Sequence, residues 1–408
     1  MPPESGPLLL RDAEKARALV QRMTGAPNLP PRAGVVLKLA EILSAEFLAA
    51  DDQGPEVQAL GFWLRPAAIE GLWQKFHDRM AAQVMPAPRG LVVHFPPANV
   101  ATFFVYGWFL SLLTGNRNIV RLSRRSGAIT AWLVVRIQVA VAHIGDPHLS
   151  TNTAFVGYDP DPDITESLCA QADARMIWGG DAAVSTIRSV EMPPQSVDLV
   201  FPDRVSWAVM DAMAYLAQPD VLQTRLAERF GNDVFGFNQQ ACASPRLLVW
   251  RGAPEDAAAA GTALFARLAT FEADHGPDPG LAMHRTEAAY QALRTLPVSA
   301  LHWHGPLAVM HLTAPVPVAD LPGPGGGLLF TLTVQDLTAL VPIVGRRDQT
   351  VTHFGVSQAD LRSFSAALNG RGVDRFVPLG QALAFDAMWD GEDILARLTR
   401  LISVQGGI

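Results

Sequence analysis

Residues 238 to 246 read NQQACASPR and hold one of only two cysteines in the 408-residue chain. Cys242 sits on a predicted loop just ahead of a strand, where functional side chains concentrate. Asn238, Gln239 and Gln240 set amides beside the thiol, Ala241 and Ala243 leave its sulfur approachable by a carbonyl, and Pro245 ends the loop. A thiolate there attacks carbonyl carbon and forms a thioester, which is itself a good electrophile. The competing reading of a free cysteine is a small buried packing residue. Cys169, in ITESLCAQA, fits that second reading, on an amphipathic helix facing the core.

Three further stretches carry chemistry. In HFPPANV, Asn99 stands between a strand and a helix, either as an N-cap or as an amide N–H donor to a developing oxyanion. In TGNRNIVRLSRRS, Arg121, Ser123, Arg124 and Arg125 leave the carboxyl end of a strand, as a solvated basic turn or as a grip on a ribose and its phosphate. In IWGGDAAVSTIR, Gly179 and Gly180 allow close backbone approach to a helix N-terminus suited to an anion. LPGPGGG, residues 321–327, lacks the strand-before, helix-after setting of a phosphate loop and is read as a turn. His302 and His304 share one side of a predicted strand but have no third metal ligand in suitable context, so no metal site is assigned. His94 and His353 read as assistants to proton transfer or as buried, satisfied histidines. The aromatic residues Phe103, Phe104, Tyr106, Trp108 and Phe109 either line an acyl tunnel or pack a core.

These residues need a frame. From Leu91 onward short apolar runs (LVVHF, NIVRLS, NTAFVGY, ARMIWGG) alternate with helical patterns, which predicts βαβ units and a parallel sheet binding its ligand at the carboxyl ends of the strands. The alternation resumes after about residue 204, with a long helix over AYLAQPDVLQTRLAERFG, then strands RLLVW, LAVMHL and LLFTLTV. The expected domains are a helical segment (1–90), including a helix over PAAIEGLWQKFHDRMAAQVM, a dinucleotide-binding domain (91–203), a cysteine-bearing catalytic domain (204–375) and a C-terminal segment (376–408). Hydrophobic residues are 49% and charged residues 17%, with a net charge of −7 and no long basic run, which argues against nucleic acid as partner. The N-terminus shows no signal-peptide pattern and the apolar run from Val100 is too short to span a bilayer, so a cytoplasmic location is expected.

Taken together, FPPANV, GNRNIVRLS, IWGG, QQACASP and the closing DRFVPLGQALAFDAMWDGEDILARLTRLI resemble the LuxC-type acyl-CoA reductases, a branch of the aldehyde dehydrogenase superfamily. The resemblance runs from about Leu91 to the C-terminus. It implies an α/β, aldehyde-dehydrogenase-like fold of two doubly wound domains with a cleft between them; the helical N-terminal extension is read from apolar spacing alone, and the residues before about Arg65 carry no resemblance. The resemblance also implies reduction of an acyl thioester, on coenzyme A or an acyl carrier protein, by a homo-oligomer (dimer or tetramer). Cys242 would be the acyl acceptor, and Asn99 with the Cys242 N–H the oxyanion hole. Arg121 and Ser123 would hold the adenosine ribose, with Gly179 and Gly180 near the pyrophosphate. Arg121 stands where aldehyde-oxidising relatives carry Lys; with Arg124 it favours NADPH over NADH. Those relatives also use a Glu to activate water, and the corresponding VDLVFPDRVSWAV has none, which favours reduction over hydrolysis. A cysteine acyltransferase or thioesterase, a reductase of acyl phosphates and a binding subunit without chemistry are the alternatives. Trp389 and Asp390 match the family's closing segment and are read as packing or subunit-contact residues.

Overall fold

The computed structural model describes residues 6–97, 100–124, 126–273 and 279–405. The chain forms two units, Met1–Pro202 with Phe385–Ile408, and Asp203–Ala384.

The first unit is built on six parallel strands in the order Leu8–Leu9, Thr153–Gly157, Arg117–Leu122, Leu91–Phe95, Ala174–Trp178, Val197–Phe201. Leu91–Phe95 is buried along its whole length, as a central strand covered on both faces must be. From it the chain steps outward through Arg117–Leu122 to Thr153–Gly157, then returns to place Ala174–Trp178 on its other side. This reversal opens a crevice at the carboxyl end of Leu91–Phe95.

The polar residues of GNRN hold this frame together. Asn116 Oδ1 accepts from the N–H groups of Arg89 and Gly90, and its Nδ2 donates to the Leu398 carbonyl. The Arg117 guanidinium donates to the carbonyls of Met23, Thr24 and Ala26 and so closes the end of helix Ala13–Gly25. Gly115 has φ +89°, and a Cβ there would lie 2.2 Å from the Leu29 carbonyl oxygen, so only glycine fits.

Helix Phe103–Leu113 buries Phe104, Trp108 and Phe109, with the Trp108 indole N–H on Thr153 Oγ1 at 3.0 Å. Phe103 and Tyr106 are half-buried and pack edge to face or tilted against Phe385 at 5.6 and 4.6 Å. Cys169 is fully buried, and burial pushes its thiol pKa up.

Local pattern misjudges three places. The helix expected through Met85 stops at Asp78 with Arg79 as its C-cap, and Val84–Pro88, whose two prolines do not suit a helix interior, instead pairs antiparallel with Thr399–Ser403. The long helix around Gln218 is two, Ala212–Leu216 and Asp220–Phe235, divided at Pro219, which disfavours helical geometry at the residue before it. The N-terminal segment is not wholly helical, because Leu8–Leu9 adds an edge strand to the sheet.

The second unit centres on seven strands, in the order Val298–His304, Leu307–Leu312, Leu328–Val334, Pro245–Arg251, Val205–Asp211, Asp348–Phe354, Arg375–Pro378. All neighbours are parallel except the first pair. One face buries Val209, Val249 and Phe330 among others, the opposite face Met210, Leu248 and Leu329. Trp389 packs on Phe385 at 5.0 Å in the first unit, next to a two-residue hairpin turn in which Asp390 and Gly391 have φ +50° and +75°. That Asp-Gly pair is the sequence a tight turn with two left-handed residues selects.

Candidate active site

In the second unit Cys242 lies at the start of the strand Pro245–Arg251, exposed and outside any disulfide. It is a central residue of a β-turn closed by the Ser244 N–H on the Ala241 carbonyl at 2.9 Å. Before it, Phe237, Asn238 and Gln239 take left-handed backbone angles of φ +53°, +55° and +60°. Three such non-glycine residues in a row cost about 1–2 kcal/mol each, a strain that the surroundings must hold.

Gln239 is the main restraint. Its side chain is buried; Nε2 donates to the carbonyls of Pro245 and Leu328, and Oε1 accepts from the N–H groups of Gly327 and Leu328. The Gly326 N–H adds a bond to the Asn238 carbonyl at 2.9 Å. LPGPGGG is thus a turn that braces the cysteine loop. A Cβ on Gly325 would lie 2.5 Å from the Asn238 oxygen, so close approach requires the glycine. The amide of Gln239, read from sequence as a polar neighbour of the thiol, is wholly committed to backbone.

Asp233, in the last turn of the helix leading to this loop, is buried and accepts from the N–H groups of Gly380 and Ala382 at 2.7 and 2.8 Å. Burial pushes its carboxyl up to about 7 against those two bonds and the nearby Arg375. Asp203, the carboxylate preceding strand Val205–Asp211, is ion-paired with Arg347. Half-buried Arg246 heads the strand after the cysteine turn, its guanidinium against Gly323. Sequence reading passed over Asp233 and Arg246. The available signal was a charged residue at an apolar-patterned helix end and another at a strand's first turn.

In the first unit a recess of about 1150 Å³ opens at the crevice beyond Leu91–Phe95. Phe95, Arg121 and Tyr158 line it from the strand ends, Thr165 and Glu166 from helix Pro162–Cys169, Ile187 from helix Asp181–Arg188. Arg121 lies over the Tyr158 ring at 5.3 Å. Gly179 and Gly180 do not line the recess. They precede its Asp181–Arg188 wall, where Gly180 is the N-cap with no side-chain cap and open space where a Cβ would be. The helix N-terminal N–H groups there suit a phosphate. Ser123 follows the strand, its carbonyl accepting from the Ser126 N–H.

Arg124 is paired with Asp159 at 2.5 Å, so its charge is not spare. Asp161, Glu166 and Glu191 also line the recess, which leaves Arg121 as its cation among the described residues. The recess is large enough for a nucleoside and offers a cation, an aromatic face and a helix N-terminus, so these residues fit a dinucleotide's adenosine end.

Asn99 and Arg125 lie outside the described residues. His94 is buried with Nε2 2.9 Å from Asn118 Oδ1, and burial pulls its pKa down to about 4. It is the satisfied core histidine of the two readings. His353 is half-buried, its pKa lowered by burial. His302 lies 5.3 Å from His311, ring to ring, yet among the described residues no group of three His, Cys, Asp or Glu side chains is arranged to hold a metal. No helix among the described residues is long and apolar enough to cross a membrane.

The family model of acyl-CoA reductase (LuxC) matches residues 71–275, which include the recess and the cysteine turn. The long-chain acyl-protein thioester reductase of Aliivibrio fischeri is 26% identical over 170 residues, 41% of this chain and 33% of that protein. Among solved structures, indole-3-acetaldehyde dehydrogenase complexed with NAD+ superposes with a TM-score of 0.68 at 14% identity, over 96% of this chain and 89% of that one. An NAD-dependent aldehyde dehydrogenase from Sinorhizobium meliloti gives 0.65 at 12%, over 96% and 86%. The bifunctional proline utilization A protein gives 0.67 at 16%, over 96% of this chain but 45% of its own length. The fold is aldehyde-dehydrogenase-like.

Proposed function

The chain belongs to the acyl-CoA reductase (LuxC) family, and from that premise we propose that it reduces an acyl thioester to the aldehyde through a thioacyl-enzyme on Cys242. The observation that carries this reading is the Cys242 turn, an exposed thiol on a backbone braced by Gln239, in a chain whose VDLVFPDRVSWAV segment has both of its carboxylates in ion pairs, Asp198 with Arg175 and Asp203 with Arg347.

The Cys242 thiolate attacks the thioester carbonyl, and the departing thiol is coenzyme A or the pantetheine of an acyl carrier protein. Asn99 and the Cys242 N–H hold the oxyanion. The nicotinamide cofactor, when bound, supplies hydride to the thioacyl carbon. The resulting thiohemiacetal collapses to aldehyde and returns the thiolate of Cys242. Arg121 and Ser123 grip the adenosine ribose, Arg124 adds its charge to that end of the cofactor, and Gly179 and Gly180 let the pyrophosphate approach the helix that follows. Hydrolysis is slow because the VDLVFPDRVSWAV region lacks a glutamate, and its two aspartates, Asp198 and Asp203, are held in ion pairs. NADPH remains the preferred cofactor of this reading on Arg121; the Arg124–Asp159 pair weakens the second half of that argument and keeps NADH in the test. Supporting a dimer or tetramer are the exposed Met85, Leu401 and Ile402 on the Val84–Pro88 and Thr399–Ser403 pair.

The test is consumption of NADPH or NADH with acyl-CoA thioesters of increasing chain length, with aldehyde trapped and Cys242→Ala alongside. Turnover that vanishes in Cys242→Ala supports the reading, and turnover that survives it overturns the mechanism. An acyl group on Cys242 without cofactor oxidation would make the protein a non-redox acyl carrier. Turnover with acyl phosphates alone would make it a reductase of that class.

A further inference from the structure

We propose that Arg285 is a positioning residue for Cys242, acting through the Gly326–Gly327 peptide and the Gln239 amide. The inference rests on the assignment of Cys242 as nucleophile and adds the buried charge that fixes where its thiol stands.

Arg285 belongs to helix Pro279–Thr295, whose buried face is otherwise Ala288, Ala289 and Ala292. It is 6% exposed. A guanidinium withdrawn from water among such small apolar neighbours is costly unless its donors meet acceptors. Here Nη1 donates to the carbonyls of Pro306 and Gly326, the latter at 2.6 Å, and the guanidinium carbon lies 5.4 Å over the Trp303 ring.

The Gly326 carbonyl and the Gly327 N–H are the two ends of one peptide group. Its carbonyl accepts from Arg285, and its N–H donates to Gln239 Oε1 at 3.1 Å. A cation on the carbonyl polarises the peptide and strengthens the bond made by the N–H. The Gly326 N–H holds the Asn238 carbonyl at 2.9 Å. Both links therefore end on the left-handed residues Asn238 and Gln239, whose backbone angles are strained without support. Gln239 Nε2 carries the restraint across the cysteine turn to the Pro245 carbonyl at 3.0 Å.

The brace itself has little stiffness. Gly325, Gly326 and Gly327 have φ +86°, +68° and +85°, a run that glycine adopts readily and leaves as readily. Arg285 on the Gly326 carbonyl and the Ala308 N–H on the Gly327 carbonyl pin it from outside. A shift of about 1 Å at a reacting atom costs up to about a hundredfold in rate, so the pin reaches the chemistry.

The test has two readouts on the full chain: hydrogen exchange by mass spectrometry, and the saturating rate of Cys242 acylation by acyl-CoA thioesters without cofactor. In Arg285→Met, exchange over residues 236–246 rises about tenfold and the acylation rate constant falls about tenfold, with the half-saturating thioester concentration unchanged. Arg285→Lys, whose ammonium can reach both carbonyls, stays within about threefold of the wild type in each. Cys169, fully buried, is the reference for folding and stays closed to iodoacetamide. Wild-type values in a folded Arg285→Met overturn the proposal, as does a rise in exchange confined to residues 325–328. If that variant does not fold, Trp303→Ala, at an exposed position under the guanidinium, takes its place, and unchanged exchange over residues 236–246 overturns the proposal. A wild type that no acyl-CoA acylates sinks the reductase reading instead, and the exchange readout, which needs no thioester, still decides Arg285.

Discussion

Gln239 grips Leu328 on both of its backbone groups: Oε1 accepts the Leu328 N–H at 3.1 Å and Nε2 donates to the Leu328 carbonyl at 2.9 Å. A side-chain amide thus does the work of a neighbouring strand and ties the strained approach to Cys242 to the sheet interior.

Replacing Gln239 by Ala strands four buried backbone groups, and an expected loss of about 2–3 kcal/mol should appear in urea denaturation. Gln239→Glu cannot donate and should cost nearly as much. A loss within error of zero in both would show that water or a rearranged loop satisfies these groups.

Asp233 predicts a pH dependence. Its folded pKa of about 7 lies above the ordinary carboxylate range near 4. The native state therefore keeps a proton that the unfolded chain has lost, so the stabilising share of Asp233 is complete below about pH 4 and disappears as pH rises through 7. Asp233→Asn should flatten the fall in stability from pH 5 to 8, by at most about 4 kcal/mol. Parallel curves for variant and wild type would mean that the carboxylate is ionised throughout.

His94 works with the opposite sign. Burial holds it neutral in the folded state, with a pKa of about 4, whereas the unfolded chain takes up a proton near pH 6.5. Its contribution is present above that value and is lost as pH falls through 4. NMR should show its ring signals unmoved between pH 8 and 5; titration near 6.5 would contradict the burial and return His94 to the candidates for proton transfer.

Cofactor affinity separates Arg121, which lines the recess, from Arg124, which does not. Arg121→Ala removes the cation over Tyr158 and should weaken nicotinamide cofactor binding about tenfold or more in fluorescence titration. Arg124→Ala, which breaks an exposed pair with Asp159, should change it less than threefold. The reverse order would place the phosphate at Arg124 and strengthen the case for NADPH.

What could be read from the chain alone was local. Buried runs such as Leu91–Phe95 and Leu328–Val334 declare parallel strands because burial on both faces demands continuous apolar residues. Glycine, proline and amide residues around Cys242 declare a tight loop, and family motifs carry the chemistry onto it. The partners of short segments are decided only by folding. Nothing in Val84–Pro88 names Thr399–Ser403 as its mate, and Pro219 divides a helix that the apolar spacing carries through. The same holds for polar side chains. Sequence places the Gln239 amide beside the thiol, and the tertiary structure sets it against Leu328; sequence offers Arg124 to a ribose or its phosphate, and the tertiary structure faces it with Asp159. The physical reason is that buried hydrogen-bonding groups and charges must be satisfied by whatever the fold brings near, and that neighbour is often distant in sequence. Spacing along the chain sets which elements form, and the tertiary structure sets what each polar atom is left to do.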